Sequence, residues 1–106
     1  MDAKIDVRDV PERNRYEAVI DGTVAGFIEY VEANGDRAFT HTEVPDAFEG
    51  KGVGSALAKG ALEDLRAREL KVRPFCPFVA GWITRHQDYL DLVADGYRDR
   101  VMPNSA

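Results

Sequence analysis

Hydrophobic and polar positions alternate along the first part of the chain, around two short turn sequences. Asp21-Gly22 and Asn34-Gly35 each stand between stretches rich in β-branched and aromatic residues, and this arrangement is the strongest short-range signal of a β-hairpin. Two such turns require three strands. The pattern therefore predicts antiparallel strands at residues 15–20, 23–32 and 37–44, and it is compatible with a further short strand at residues 5–10.

The third of these strands has an irregular pattern. Phe39, Thr42 and Val44 cannot all lie on one face of a regular strand, whereas His41 and Glu43 can. This spacing is compatible with a β-bulge. The proline that follows the strand removes a backbone donor, so regular pairing is expected to end there.

The hydrophobic period changes to that of a helix after residue 52. Val53, Leu57, Ala61 and Leu65 recur every four residues with charged residues between them, which predicts an amphipathic helix at residues 53–69. Gly60 lies inside this helix, where glycine lowers helix propensity by about 1 kcal/mol relative to alanine. Its presence there indicates close packing against the sheet.

The rest of the pattern predicts a short strand at residues 71–75, a helix that starts at Pro77, and a further helical turn that Gly96 ends. A strand-helix-strand crossover makes its flanking strands parallel neighbours or near neighbours. The sequence therefore predicts an α/β fold with a mixed sheet, in which antiparallel hairpins are followed by a strand-helix-strand-helix unit.

The length and composition predict one domain. The chain has 106 residues, of which 44% are hydrophobic, which is enough apolar surface for one compact core. We expect this domain to span residues 1–106, with its core at about residues 5–97.

The charge and the cysteine content restrict the partners and the compartment. A net charge of −5 and a pI near 5.0 argue against a nucleic-acid partner and suit a cationic small molecule. The single cysteine excludes an internal disulfide and fits a reducing compartment. No apolar stretch approaches the roughly 20 residues that span a bilayer, and the start of the chain is too charged for a signal peptide. We expect a cytoplasmic protein without a membrane partner.

The segment "EGKGVGSAL" places three glycines at alternate positions just before the predicted helix. Gly50, Gly52 and Gly54 allow an anion to approach the helix N-terminus, and Lys51 adds a positive charge, so a cradle for a pyrophosphate is one interpretation. The other interpretation is that the segment is only a flexible connection between strand and helix. The segment lacks the Gly-Lys-Ser/Thr ending of a Walker loop, and Ser55 or Leu57 stands where a dinucleotide-binding loop needs its third glycine.

This loop resembles the acetyl-CoA pyrophosphate loop of the GCN5-related N-acetyltransferases, whose pattern is Gln or Arg, two residues, Gly, one residue, and Gly or Ala. Glu49, Gly52 and Gly54 fall at the three defined positions, with an acidic residue at the first. The segments "HTEVPDAFEGKGVGSAL" and "CPFVAGWITRHQDYLDLV" are similar to a short single-domain subfamily. Gln87 and Asp88 stand where that subfamily often has Pro and Glu. The similarity covers most of residues 15–93.

The resemblance implies a compact acetyltransferase fold that is truncated at its C-terminus and that uses acetyl-CoA as cosubstrate, without a metal. It also implies that the strand before the loop presents backbone groups to the pantetheine arm, so that a free N–H there can polarise the thioester carbonyl. The cofactor-binding residues that follow from it are Thr42, Val44, Glu49, Gly50, Lys51, Gly52, Val53, Gly54, Ser55, Cys76, Phe78, His86 and Tyr89.

The implied function is transfer of an acetyl group to an amine of unknown identity, on a small molecule or on a protein. A non-catalytic module that binds or senses acyl-CoA is the alternative, and a structural or interaction domain is a third. The chain is expected to be a monomer or a weak homodimer. Because few residues remain after the last predicted helix, the acceptor site is expected to be open or completed by a partner.

Three residues are candidates for catalysis. His41 and Glu43 share one strand face, where either could take the proton of the amine; a polar face in contact with solvent is the alternative for both. Cys76 precedes a helix start, which favours a thiolate, so it could carry the acetyl group, shape the acetyl pocket or protonate the leaving thiolate. An inert core thiol is the alternative.

The acid that protonates the departing thiolate is not identified by the sequence. Larger relatives often place a tyrosine on the helix after the last parallel strand, and Thr84 stands at that position here. Trp82, His86 and Tyr89 are nearby candidates. For Trp82 and Tyr89, packing is the main alternative.

Overall fold

The computed structural model describes residues 4–102, so the two ends of the predicted domain, residues 1–3 and 103–106, lie outside the described residues. Five strands form one sheet in the order β1-β2-β3-β4-β5. The strands are β1 (Asp6–Val10), β2 (Arg15–Ile20), β3 (Thr23–Ala33), β4 (Asp36–Glu43) and β5 (Lys71–Pro74), and the α-helices are α1 (Val53–Arg68) and α2 (Pro77–Arg85). Short 3-10 turns lie at Pro11–Arg13, Asp46–Phe48, Gln87–Leu92 and Arg98–Arg100.

The sheet is mixed, as the sequence predicts. Neighbouring strands from β1 to β4 are antiparallel, and β5 pairs parallel to β4 after the α1 crossover. The α/β fold and the strand-helix-strand-helix unit are therefore confirmed. The predicted boundaries of all five strands and of α1 agree with the observed ones to within one residue at each end.

The predicted irregularity in β4 is a β-bulge at Thr40. Glu29 pairs with His41, whereas the next residue of β3, Tyr30, pairs with Phe39, so one extra residue stands on β4. The bulge allows Phe39 to be fully buried while His41 and Glu43 project from the opposite, exposed face. The bulge thus divides β4 into a first part, which pairs with both β3 and β5, and a second part, which pairs with β3 alone and leads into the glycine loop.

The region after α2 differs from its prediction. The helical turn expected to continue to Gly96 ends at Leu92 as a 3-10 turn, and Val93 is extended and bridges Val72 of β5 in a parallel sense. The N–H of Ala94 donates to the carbonyl of Val72 at 2.9 Å. The prediction was wrong because a buried valine gains more from pairing with the free edge of β5 than from continuing a short helix.

The core lies between the helices and one face of the sheet. The apolar face of α1 is buried, including the four residues that define its period. Gly60 packs against β1 so closely that a Cβ at this position would lie 2.8 Å from the Cβ of Val7. The close packing that the sequence indicates at Gly60 is therefore present.

A buried polar network joins four strands to α1. The guanidinium of Arg37 contacts carboxylates of Asp9, at 3.1 Å, and Glu32, at 2.6 Å, and donates to the Tyr16 hydroxyl at 2.7 Å. The Tyr16 hydroxyl donates in turn to Asp64 of α1 at 2.7 Å. Burial and this carboxylate raise the pKa of Tyr16 well above its ordinary value. Because the buried charges are paired, the network holds α1 in one position over the sheet.

Gly60→Ala should lower the free energy of unfolding by about 1–2 kcal/mol, although alanine normally stabilises a helix, because the new Cβ would overlap Val7. Gly81→Ala in α2 is the matched control. A Cβ at Gly81 would meet only the end of the Arg85 side chain, at an ordinary 3.5 Å, so this variant should be neutral or more stable. Urea unfolding of both variants measures the difference, and equal stabilisation by both would refute the packing argument.

Candidate functional site

The N-terminus of α1 is a donor-rich end of a helix. Gly52 is its N-cap, with φ +80°, and the first helical hydrogen bond runs from the N–H of Ala56 to the Gly52 carbonyl at 3.0 Å. The N–H groups of Val53, Gly54 and Ser55 therefore have no partner within the helix. Within residues 4–102, no side chain caps this end. The positive end of the helix dipole is thus open to a ligand.

A cavity of about 410 Å³ adjoins this helix end. It brings together nine of the residues that the sequence analysis assigns to cofactor binding, from the end of β4, the glycine loop, the first turn of α1 and the side of α2. These residues are Val44, Glu49, Gly50, Gly52, Val53, Gly54, Ser55, Phe78 and His86. Phe48, Trp82 and Arg85 complete the lining.

Two contacts hold α2 beside the helix end. A Cβ on Gly54 would lie 2.7 Å from the ring of Phe78, so only glycine allows this ring to approach α1. One turn further along α2, the Trp82 indole N–H donates to the Ser55 hydroxyl oxygen at 2.9 Å. The hydroxyl proton of Ser55 is consequently free to donate to a ligand in the cavity.

The imidazole of His86 has a fixed orientation. Its Nδ1 lies 2.7 Å from the Trp82 carbonyl oxygen, and its ring stacks on the Trp82 indole with 3.9 Å between centroids. A carbonyl oxygen only accepts hydrogen bonds, so Nδ1 carries the hydrogen. The neutral ring then presents Nε2 as an acceptor.

Thr42 and Cys76 meet where β4 and β5 diverge. Strand pairing ends at Phe39 and Pro74, and the N–H of Cys76 closes the junction by donating to the Phe39 carbonyl at 2.8 Å. The Thr42 hydroxyl and the Cys76 sulfur are 3.1 Å apart. Cys76 is only 2% exposed and does not line the cavity.

His41 and Glu43 lie outside the cavity. Both side chains are more than half exposed, and His41 Nε2 lies 3.3 Å from a carboxylate oxygen of Glu43. They occupy the strand face opposite to that of Thr42. The structure brings the two residues together, as the sequence predicts, but on the side of the sheet away from the helices.

Lys51 and Tyr89 are not part of the cavity lining either. Lys51 is exposed beside the loop. Tyr89 is buried behind Trp82, with ring centroids 5.1 Å apart, and its hydroxyl donates to Glu63 at 2.6 Å. This hydrogen bond and burial raise the pKa of Tyr89 to about 12, so the hydroxyl holds its proton firmly.

Sequence reasoning did not assign Phe48 or Arg85 to the site. Arg85 could have been found from the helical period, because Phe78, Trp82 and Arg85 lie four and then three residues apart and so share one side of α2. Phe48 gave no comparable signal. It lies in a 3-10 turn whose position depends on how the chain leaves β4.

Within residues 4–102, no group of three or more His, Cys, Asp and Glu side chains could hold a metal ion. No helix in the same residues combines the length and the apolar character that crossing a membrane requires.

Comparison with known proteins defines the class. Residues 15–92 match the model of a family described as GCN5-related N-acetyl-transferase; the chain belongs to this family, which uses acetyl-CoA as cosubstrate. It is similar to Protein NATD1 from Xenopus tropicalis and from Mus musculus, with 40% identity over 43 residues in each case. The matched segment spans 41% of this chain and 39% of each relative. Protein NATD1 from Homo sapiens shows the same identity over 38% of its length.

Proposed function

We propose that this protein binds acetyl-CoA and transfers its acetyl group to an amine. The observation that carries the proposal is the cavity at the N-terminus of α1, where three unpaired N–H groups and the Ser55 hydroxyl converge. Backbone donors and a helix dipole suit a pyrophosphate. Membership of an acetyltransferase family supports the same ligand.

The glycine loop suits this ligand for two physical reasons. Gly50 and Gly52 both have φ +80°, a conformation that other residues rarely adopt, and a Cβ on either would meet no protein atom within 4 Å. The space in front of them is therefore open to a ligand. Glu49 lines the cavity but is exposed, so water can solvate its carboxylate beside a bound anion.

The thioester is placed, in this proposal, at the divergence of β4 and β5. Beyond Phe39, β4 has no partner on its β5 side within the described residues, so a backbone N–H there is available to polarise the thioester carbonyl. The amine nitrogen attacks the carbonyl carbon, the C–S bond breaks, and the thiolate of CoA leaves. Thr42 and Cys76 border the position of the acetyl group.

The amine approaches from the other face of the sheet, where His41 takes its proton. A carboxylate accepts hydrogen bonds, so the 3.3 Å contact with Glu43 directs His41 Nε2–H toward it. Nδ1 is then the basic nitrogen. Glu43 orients the ring and stabilises the imidazolium that forms.

Binding without efficient turnover is the second candidate function. It is favoured by the position of Tyr89, whose hydroxyl already donates to Glu63 and whose raised pKa makes it a weak acid at neutral pH. A protein of this kind would bind acetyl-CoA and hold it without an acid for the leaving thiolate. A screen of small amines and peptides with acetyl-CoA distinguishes the two, because only the enzyme releases free CoA in an amine-dependent way.

Gly52→Val should weaken acetyl-CoA binding by about 2–3 kcal/mol, or about 30- to 150-fold, because the side chain would enter the space of the pyrophosphate. Gly22→Val is the matched control. Gly22 has φ +79° in a hairpin turn and also faces open space, so both variants carry the same backbone strain. Calorimetry should show lost affinity for Gly52→Val alone. Unchanged affinity in folded Gly52→Val would remove the pyrophosphate site.

His41→Gln should lower the acetylation rate by about 100-fold, because glutamine cannot take the proton of the amine. The rate is measured with saturating acetyl-CoA and the best amine from the screen. Glu43→Gln should cause a smaller loss, since the ring remains but loses its carboxylate. A rate in His41→Gln that matches the native protein would assign His41 to the solvated surface.

Cys76→Ala should lower turnover by about tenfold, because the acetyl group would be held in a less favourable position. In the native protein, the thiol should stay unmodified when acetyl-CoA is added without an acceptor. The thiol is buried against Thr42, so in this proposal it supports the end of β4 beside the acetyl group and does not carry that group. Intact-mass spectra test this. An acetyl on Cys76 that an amine removes would establish a two-step route instead, and full activity in Cys76→Ala would leave this residue as packing.

A further inference from the structure

Arg85 lines the cavity with a charge that no carboxylate neutralises. Within residues 4–102, no Asp or Glu oxygen lies within 4 Å of its guanidinium, whereas Arg37, Arg66 and Arg73 each contact one. Arg85 is exposed and forms part of the cavity lining. A free guanidinium in the wall of a cavity is suited to an anionic group of a ligand.

The guanidinium of Arg85 lies one helical turn beyond the contact of α2 with the glycine loop. That contact is made by Phe78, whose ring packs on Gly54 at the start of α1. The Nη1 atom of Arg85 folds back to within 3.5 Å of where a Cβ on Gly81 would stand, three residues after Phe78, or about 4.5 Å along the helix at about 1.5 Å per residue. If the N–H groups of α1 bind one anion of a ligand, this guanidinium is available to a second anionic group of the same ligand.

His86 shapes the wall beside Arg85. Its imidazole is fixed against the Trp82 indole by the stack and by the Nδ1–H bond to the Trp82 carbonyl. An imidazole fixed in this way can stack on a planar heterocycle of a ligand. The guanidinium of Arg85 and the imidazole of His86 are thus neighbours in the cavity lining.

We propose that Arg85 binds the 3′-phosphate of CoA, with the adenosine beside His86. The proposal rests on acetyl-CoA binding as proposed above and assigns a second phosphate site to the same cavity. A phosphomonoester is close to dianionic at neutral pH and presents oxygens that match the two parallel N–H donors of a guanidinium. The pyrophosphate at α1 and the phosphomonoester at Arg85 account for both anionic groups of the ligand.

This arrangement makes the protein selective for the free coenzyme. An acyl group on 3′-dephospho-CoA, or on the phosphopantetheine arm of a carrier protein, offers no phosphomonoester to Arg85. Those donors would keep the contacts along β4 and lose the contact on α2. Arg85 is therefore a specificity-determining residue for the acyl donor.

Calorimetry with CoA and with 3′-dephospho-CoA at one fixed ionic strength tests the proposal. The native protein should bind CoA about tenfold more tightly than 3′-dephospho-CoA. Arg85→Gln should bind CoA about tenfold more weakly than the native protein and lose the preference, while Arg85→Lys, which keeps the charge without the planar fork, should lose less. Arg8→Gln removes an exposed arginine of β1 and controls for net charge, so it should behave as the native protein.

Two results would overturn the assignment of Arg85 while leaving acetyl-CoA binding intact. One is equal affinity of the native protein for CoA and 3′-dephospho-CoA. The other is a preference for CoA that Arg85→Gln retains with its fold unchanged by circular dichroism. Failure of the native protein to bind either ligand is a separate result, which would refute the proposed function and this site with it.

Discussion

The divergence of β4 and β5 is the constraint on which the rest of the structure depends. The pairing of β5 with β4 ends at Pro74. Pro77, which has no N–H and suits the first turn of a helix, starts α2 three residues later, so the chain turns away from β4 there. The N–H of Cys76 makes the last bond to β4, at the Phe39 carbonyl. On the other strand, the bulge at Thr40 changes the register one residue later. Pairing between β4 and β5 thus stops at Phe39, while β4 stays paired with β3 as far as Glu43, and a gap opens between β4 and β5 beyond this level.

The helices close one side of this gap. The contact of Phe78 with Gly54 and the bond from Trp82 to Ser55 fasten α2 to the start of α1. The same side chains form the cavity wall, so the packing that stabilises the two helices also defines the site. Residues in such a wall have two roles, and a substitution there changes stability and binding together. Arg85, which is exposed, is a position where the two effects can be separated.

Much of the fold follows from local signals in the sequence. The turns at Asp21 and Asn34 have positive φ at both central residues, which explains why these dipeptides predict hairpins reliably. The four-residue period of α1 was equally clear. The pairing of Val93 with β5 could not be predicted, because it depends on an edge that exists only in the folded sheet. The burial of Tyr89 depends in the same way on a partner distant in sequence, Glu63.

The part of the candidate site that depends on backbone conformation, the glycine loop, could be predicted from the sequence. The parts in which side chains from distant segments meet could not. Glycines at positive φ before a helix can be recognised from the sequence alone. The placement of Thr42 against Cys76, and of His41 with Glu43 on the other face, follows from the alternation of side chains in β4 once the bulge is fixed. Alternation therefore directs one side of β4 toward the cavity and the other toward the exposed surface of the sheet. In the proposed function, acetyl-CoA and the amine consequently approach from opposite faces, and the amine meets the exposed face.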